Sequence, residues 1–252
     1  MNTRMRRLLF YLLLIITWET VYRLQILSPV LFPSPLTVGE TLAGGFADGT
    51  FLIAIAVSMR RILVGYLLAL LIGVSLGFLI ARYKVLEDTF GSLVVGLQAV
   101  PSVVWLPLAL IWMGMSEKAI IFITCLGATW TMLINTDAGV KNTPPIYLRA
   151  ARSMGAGGSR LFWHVVLPAA VPSIITGMRL AWAFAWRALM AGELLSSGTG
   201  LGQILMMGRN INDMSQVIAV MVIIGVVGCL ADHFIFKKLE NSVRCRWGLI
   251  TA

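Results

Sequence analysis

Between Arg61 and Arg82 the chain reads ILVGYLLALLIGVSLGFLIA, an unbroken stretch (62–81) without a charged residue. A helix of about 20 apolar residues is what it takes to cross the hydrocarbon core of a bilayer. In lipid every backbone N–H and C=O must be bonded within its own element, and that requirement selects the helix here. Similar runs recur along the chain and predict six spans, at about 8–26, 62–81, 90–113, 117–139, 169–190 and 215–236. Only 12% of the 252 residues are charged, against about 25% in soluble domains. The chain therefore cannot cover a water-facing surface, and the expectation is an all-α polytopic membrane protein built as one domain, 1–252.

The charge that is present has a side. Thirteen Lys and Arg fall in one alternate set of segments: Arg4, Arg6, Arg7, Arg82, Lys84, Lys141, Arg149, Arg152, Arg160, Lys237, Lys238, Arg244 and Arg246. Five fall in the other set or at its span ends: Arg23, Arg60, Arg61, Lys118 and Arg209. Basic loops stay in the cytoplasm, so both termini are expected there. The formal charge of +9 is accounted for by this bias. No basic patch interleaved with aromatics argues for nucleic acid. Cys125, Cys229 and Cys245 are widely separated, as are His164 and His233, so neither a disulfide framework nor a metal site is expected. The basic head and apolar run at the N-terminus lack a small-x-small cleavage site and are read as an uncleaved first helix.

Within the spans, three features draw attention. Gly65, Ala69, Gly73, Gly77 and Ala81 recur every four residues and form a small-residue stripe, either for close packing within the chain or for an interface in a translocation core. Span 3 holds Gln98, Pro101, Ser102, Trp105 and Pro107; the prolines permit a bend, and such irregularity is tolerated in lipid where it is buried or lines a cavity. Charges inside spans are functional suspects by default. Arg187 can favour passage of an anion, pair with Glu193, or reach the outer interface. Arg179 suits structural pairing, with Asp137 as a candidate partner, and Glu19–Arg23 reads as an i,i+4 pair. Elsewhere, Thr37 is expected to cap a short helix through Phe46, residues 51–61 to lie at the interface, and 191–214 to form an outside loop.

The polar stretch 141–168 stands apart. Thr143-Pro144-Pro145 reads as a helix start, with a capping hydroxyl and a proline at the first position. Gly155, Gly157 and Gly158 supply a stop. Between them Ile146, Tyr147, Ala150, Ala151 and Met154 share a face, with Arg149 and Arg152 opposite. Ser159 is expected to cap a second helix ending at Leu167-Pro168. The result is a small knob for docking to another protein, a helix lying on lipid, or simply a long loop.

Here the sequence resembles the permease subunits of binding-protein-dependent ABC importers. Their cytoplasmic signature is Glu-Ala-Ala, three residues, Gly, nine residues, Ile-x-Leu-Pro. This chain has Arg149-Ala150-Ala151, Gly155 and Val165-Val166-Leu167-Pro168 at the same spacing. Arg149 stands where Glu is usual and Val165 where Ile is. FPSPLTV, QAVPSVVWLPLALIWMGMSEKA, LINTDAGVKN and AWRALMAGELLSSGTGLGQIL extend the likeness toward the nitrate/sulfonate/taurine branch.

The resemblance implies a type I importer architecture, with a coupling helix in which Arg149, Ala150, Ala151, Arg152, Met154, Gly155, Leu167 and Pro168 contact a separate ATPase. It implies two permeases, two ATP-binding subunits and an extracytoplasmic binding protein in a bacterial plasma membrane. ATP and magnesium would sit on the partner, since this chain has no phosphate-cradling G-x-x-x-x-G-K-[ST] and binds no cofactor itself. The implied cargo is a small oxyanion or sulfonate, with a neutral heterocycle as the alternative. An ion-gradient carrier would require inverted repeats and a midplane ionisable cluster, and no convincing repeat is visible.

Overall fold

The structure, a computed structural model, describes residues 3–26, 28–196 and 198–246; among these the backbone is helical apart from short connections, with no strand. In order the helices are α1 (Thr3–Arg23), α2 (Pro35–Ala47), α3 (Thr50–Arg82), α4 (Lys84–Ala99), a 3-10 turn at Ser102–Trp105, α5 (Leu106–Met113), α6 (Glu117–Lys141), α7 (Pro145–Ser153), α8 (Gly158–Leu161), a π-helical turn at Phe162–Val166, α9 (Leu167–Leu195), α10 (Leu201–Asn210), α11 (Met214–Ala231), a second π-helical turn at Asp232–Phe236, and α12 (Lys237–Arg246). Among the described residues four continuous helical stretches are long and apolar enough to cross a membrane: Thr50–Arg82, Glu117–Lys141, Gly158–Leu195 and Met214–Val243. The helices Lys84–Ala99 and Ser102–Met113 qualify together as a pair bent by 93°. α1 has residues 8–16 all exposed and apolar, as a lipid-facing helix does.

Several expected boundaries are corrected. Residues 51–61 are not a separate interfacial piece but the first turns of α3; they contain no glycine or proline to break it. Span 3 is not one helix, because Pro101 supplies no amide and the chain turns sharply there. Ser34, not Thr37, caps α2: its Oγ accepts the Thr37 amide at 3.1 Å. Thr143 does not cap α7, whose N-cap is Pro144; the Thr143 hydroxyl is buried without a hydrogen-bond partner among the described residues. Nor does Ser159 cap the next helix, which Gly157 precedes. That helix does not end at Leu167-Pro168. The Leu167 amide bonds the Phe162 carbonyl, a wide turn that admits the proline ring and lets the helix run on. The loop expected at 191–214 contains α10.

The described residues group into two compact units. The described residues of the first are 3–26, 28–58 and 198–226. In it Trp18 Nε1 donates to the Pro33 carbonyl at 3.0 Å, and Asp48 accepts the Thr50 amide at 2.8 Å ahead of α3, which holds that carboxyl below its ordinary range. Ser58 Oγ accepts the Leu201 amide at 3.0 Å, and Gln216 reaches the Ile204 carbonyl at 2.9 Å.

The described residues of the second unit are 59–196 and 227–246. Its centre is α6, flanked by α3 and α9. Gly65, Gly73 and Gly77 of α3 face Thr124, Met132 and Thr136 of α6 at a constant offset, so the two helices run parallel. The approach is close: a Cβ on Gly77 would sit 2.6 Å from that of Thr136. α9 runs the other way, with Gly177 against Asn135 and Gly192 against Ile120. Lys141 at the end of α6 binds Glu87 of α4 at 2.9 Å, whereas α5 leads back to Glu117 at the start of α6. The bent α4–α5 pair therefore traverses the full length of α6. Tyr66, Trp182 and Phe236 pack edge-on or tilted at 5.2–6.1 Å in the core, and the Tyr66 hydroxyl donates to the Met178 carbonyl at 2.8 Å.

Candidate functional site

The break between α4 and α5 opens a cavity of about 250 Å³. Gln98 and Val100 enter from the end of α4, and Pro101, Ser102 and Val103 from the break itself. Leu126, Gly127, Trp130 and Thr131 of α6 form one wall; Phe184, Arg187 and Ala191 of α9 form another. Gly127 makes room for the break, since a Cβ there would lie 3.2 Å from Ser102 Oγ and 2.9 Å from Ala188 Cβ. A proline-interrupted span has thus produced the irregular, cavity-lining backbone that lipid tolerates only in such a place.

Four of the six translocation candidates, Arg187, Gln98, Pro101 and Ser102, meet in this cavity. Among the described residues Arg187 has no carboxylate within ion-pairing distance; its guanidinium lies 5.0 Å from the Phe184 ring centre. It also borders a smaller cavity of about 210 Å³ with Trp182, Trp186 and Asp232. The other two candidates lie elsewhere. Trp105 packs with Leu106, Ala109 and Ala188, its Nε1 buried without a hydrogen-bond partner among the described residues. Glu193 does not pair with Arg187; fully buried, it binds Arg61 at 2.9 Å. Glu117 accepts from Arg61 at 3.0 Å and from Arg60 as well, so the start of α6 and the last turn of α9 are joined by charge through Arg61, inside α3. The suggested Asp137–Arg179 pair is likewise corrected. Asp137 binds Lys141 at 2.8 Å, and Arg179 is held by Asp232 at 2.6 and 2.7 Å and by Glu240 at 2.9 Å. Glu19 and Arg23 do pair, at 2.6 Å.

Thr131, Gly127 and Phe184 were missed from sequence. Only Thr131 left a signal, as a hydroxyl within an apolar span. The small-residue stripe lies along α3: Ala69 is fully buried and Ala81 half-buried.

In the loop 141–168, α7 ends in a pair of tight bonds. The Ala156 amide reaches the Ala151 carbonyl and the Gly155 amide the Arg152 carbonyl, with Gly155 at φ +82°. This is the six-to-one and five-to-two closure that a left-handed residue makes possible. Arg149, Ala150, Arg152, Met154 and Gly155 are exposed; Ala151, Leu167 and Pro168 are half-buried. Ile146, Tyr147 and Met154 expose 63%, 55% and 87% of their surface, so the chain does not cover its own apolar face there. Among the described residues no three of His, Cys, Asp and Glu gather as metal ligands would.

Residues 62–244 match the family described as binding-protein-dependent transport system inner membrane component. The chain is 33% identical over 209 residues to the nitrate import permease protein of Synechocystis sp., covering 83% of this chain and 76% of that one. It is 31% identical over 224 residues to the taurine transport system permease protein of Escherichia coli, covering 87% and 82%. Its fold is similar to that of a chain of the MetNI methionine ABC transporter in an inward-facing conformation, with TM-score 0.68, 18% identity, and coverage of 78% and 97%.

Proposed function

We propose that this chain, which belongs to the family of binding-protein-dependent transport system inner membrane components, forms the path by which a small oxyanion or sulfonate is imported. The observation that carries the substrate class is Arg187. A charged side chain placed within a span is costly, yet this one faces a cavity with Gln98 and Ser102 instead of a carboxylate. The names of the relatives agree in kind, since nitrate is an oxyanion and taurine a sulfonate. Arg187 supplies the charge for the anion, and Gln98, Ser102 and Thr131 supply hydrogen bonds that replace its water.

The energy enters through residues 143–168. Their uncovered apolar face, small alanines and Gly155 turn suit seating in a separate ATPase that holds ATP and magnesium. In the assembly we propose, two copies of this chain meet two ATPase subunits and an external binding protein in a bacterial plasma membrane, with both termini cytoplasmic. Arg149 contacts the ATPase where relatives usually present an acid.

Uptake into vesicles carrying the whole complex tests this reading. It is expected to require ATP, and Gly155→Trp, strained at φ +82°, is expected to leave ATP hydrolysis running while uptake falls at least tenfold. Uptake driven by an ion gradient without the ATPase would overturn the proposal.

A further inference from the structure

A further cavity, of about 430 Å³, has a different chemistry. One wall is the last two turns of α3, where Ser75, Phe78, Leu79 and Arg82 share a face at helical spacing. The opposite wall is the π-helical turn and the start of α9, contributed by Phe162, Trp163 and Leu167. The Phe78 and Phe162 rings meet edge-on at 5.3 Å across it. Arg82 has no carboxylate partner among the described residues; its guanidinium lies 5.9 Å from the Tyr83 ring centre. Tyr83 is 51% and Trp163 62% exposed.

We propose that this groove binds an anionic phospholipid, its phosphate on Arg82 and an acyl chain along Ser75, Phe78 and Leu79. The cation sits at one end only, where the apolar run of α3 stops and Lys84 follows. From there seven residues, about 10 Å of helix, lead inward along apolar lining. A soluble anion would use the arginine and leave the groove unfilled; a lipid matches both parts. Exposed Tyr83 and Trp163 mark the headgroup level, where such rings concentrate, and a cation beside the headgroups favours negative lipid. Because one wall is the turn joining loop 141–168 to α9, the lipid ties the end of α3 to the exit of the docking segment.

The test uses the full-length chain in vesicles in which either phosphatidylglycerol or phosphatidylcholine carries brominated acyl chains, at equal mole fraction. Bromine quenches nearby indoles. Brominated phosphatidylglycerol is expected to quench more strongly, with an apparent preference of about fivefold, the size expected for one basic residue at a membrane surface. That excess should vanish in Trp163→Phe, which identifies the reporting indole, and in Arg82→Gln, while Arg82→Lys keeps most of it. Unchanged quenching of Arg82→Gln by brominated phosphatidylcholine establishes that the variant is folded and inserted. Equal quenching of the unmodified chain by the two lipids, or an excess that survives Arg82→Gln, overturns the proposal.

Discussion

Arg179 and Arg187 lie on the same helix, about 12 Å and 80° apart by helical geometry, and they have opposite surroundings. Arg179 faces the α11–α12 segment, where Asp232 grips it through both oxygens and Glu240 adds a third bond. Arg187 faces the α4–α5 break, where the polar groups are neutral. A guanidinium with carboxylate partners locks one helix to another. One without them, in the same membrane-spanning helix, keeps its charge available to something that arrives. The helix is thus divided, a strut at Arg179 and a candidate contact for cargo at Arg187.

Glu193, beyond both arginines on α9, carries the strut logic furthest. It is fully buried and its partner Arg61 only 7% exposed. Removing one member of such a pair leaves an uncompensated charge and costs about 3–5 kcal/mol. Glu193→Ala should therefore lower the thermal unfolding midpoint of the detergent-purified chain more than Arg179→Gln or Arg187→Gln does. An unchanged midpoint would mean that charge does not hold α3, α6 and α9 together here. Arg179→Gln comes next. Arg179 and Asp232 are 37% and 39% exposed in the chain, so a less completely enclosed charge is left uncompensated and the expected loss is about 1–3 kcal/mol. Loss of uptake with an unchanged midpoint would move Arg179 from strut to path and erase the contrast with Arg187.

How far these roles can be read from sequence depends on separation along the chain. Glu19–Arg23 is legible because four residues on a helix are neighbours. Arg61–Glu193 and Arg179–Asp232 join residues 132 and 53 positions apart, and nothing in either local pattern names the partner. Arg60 and Arg61 even mislead: an unpaired reading makes them the edge of a span, whereas paired they sit inside α3. Prolines behave likewise. Pro101 is legible as a bend because no hydrogen-bonding alternative is near, but Pro168 sits in a continuing helix because a π-helical turn, invisible in sequence, accommodates it. The cavity itself was half legible. Gln98, Pro101, Ser102 and Arg187 are unusual residues for a span, while Gly127 and Phe184 are ordinary ones that matter only through where α6 and α9 place them.

Arg187→Gln probes the other half of the comparison and should be the mildest change in stability. No carboxylate among the described residues loses a partner, so the stability should change by no more than about 0.5 kcal/mol, the midpoint should barely move, and the complex should assemble as before. What should change is transport. If the guanidinium stabilises an anion in the cavity by a single charge-assisted bond more than glutamine does, the difference of about 1.4 kcal/mol is tenfold in rate. ATP-dependent anion uptake should therefore slow by about that factor, and Arg187→Lys, which keeps the charge but not the planar fork, should recover part of it. A midpoint that falls as far as that of Arg179→Gln would make Arg187 a second strut. An unchanged uptake rate would remove it from the path, and the division of α9 into strut and contact would go with it.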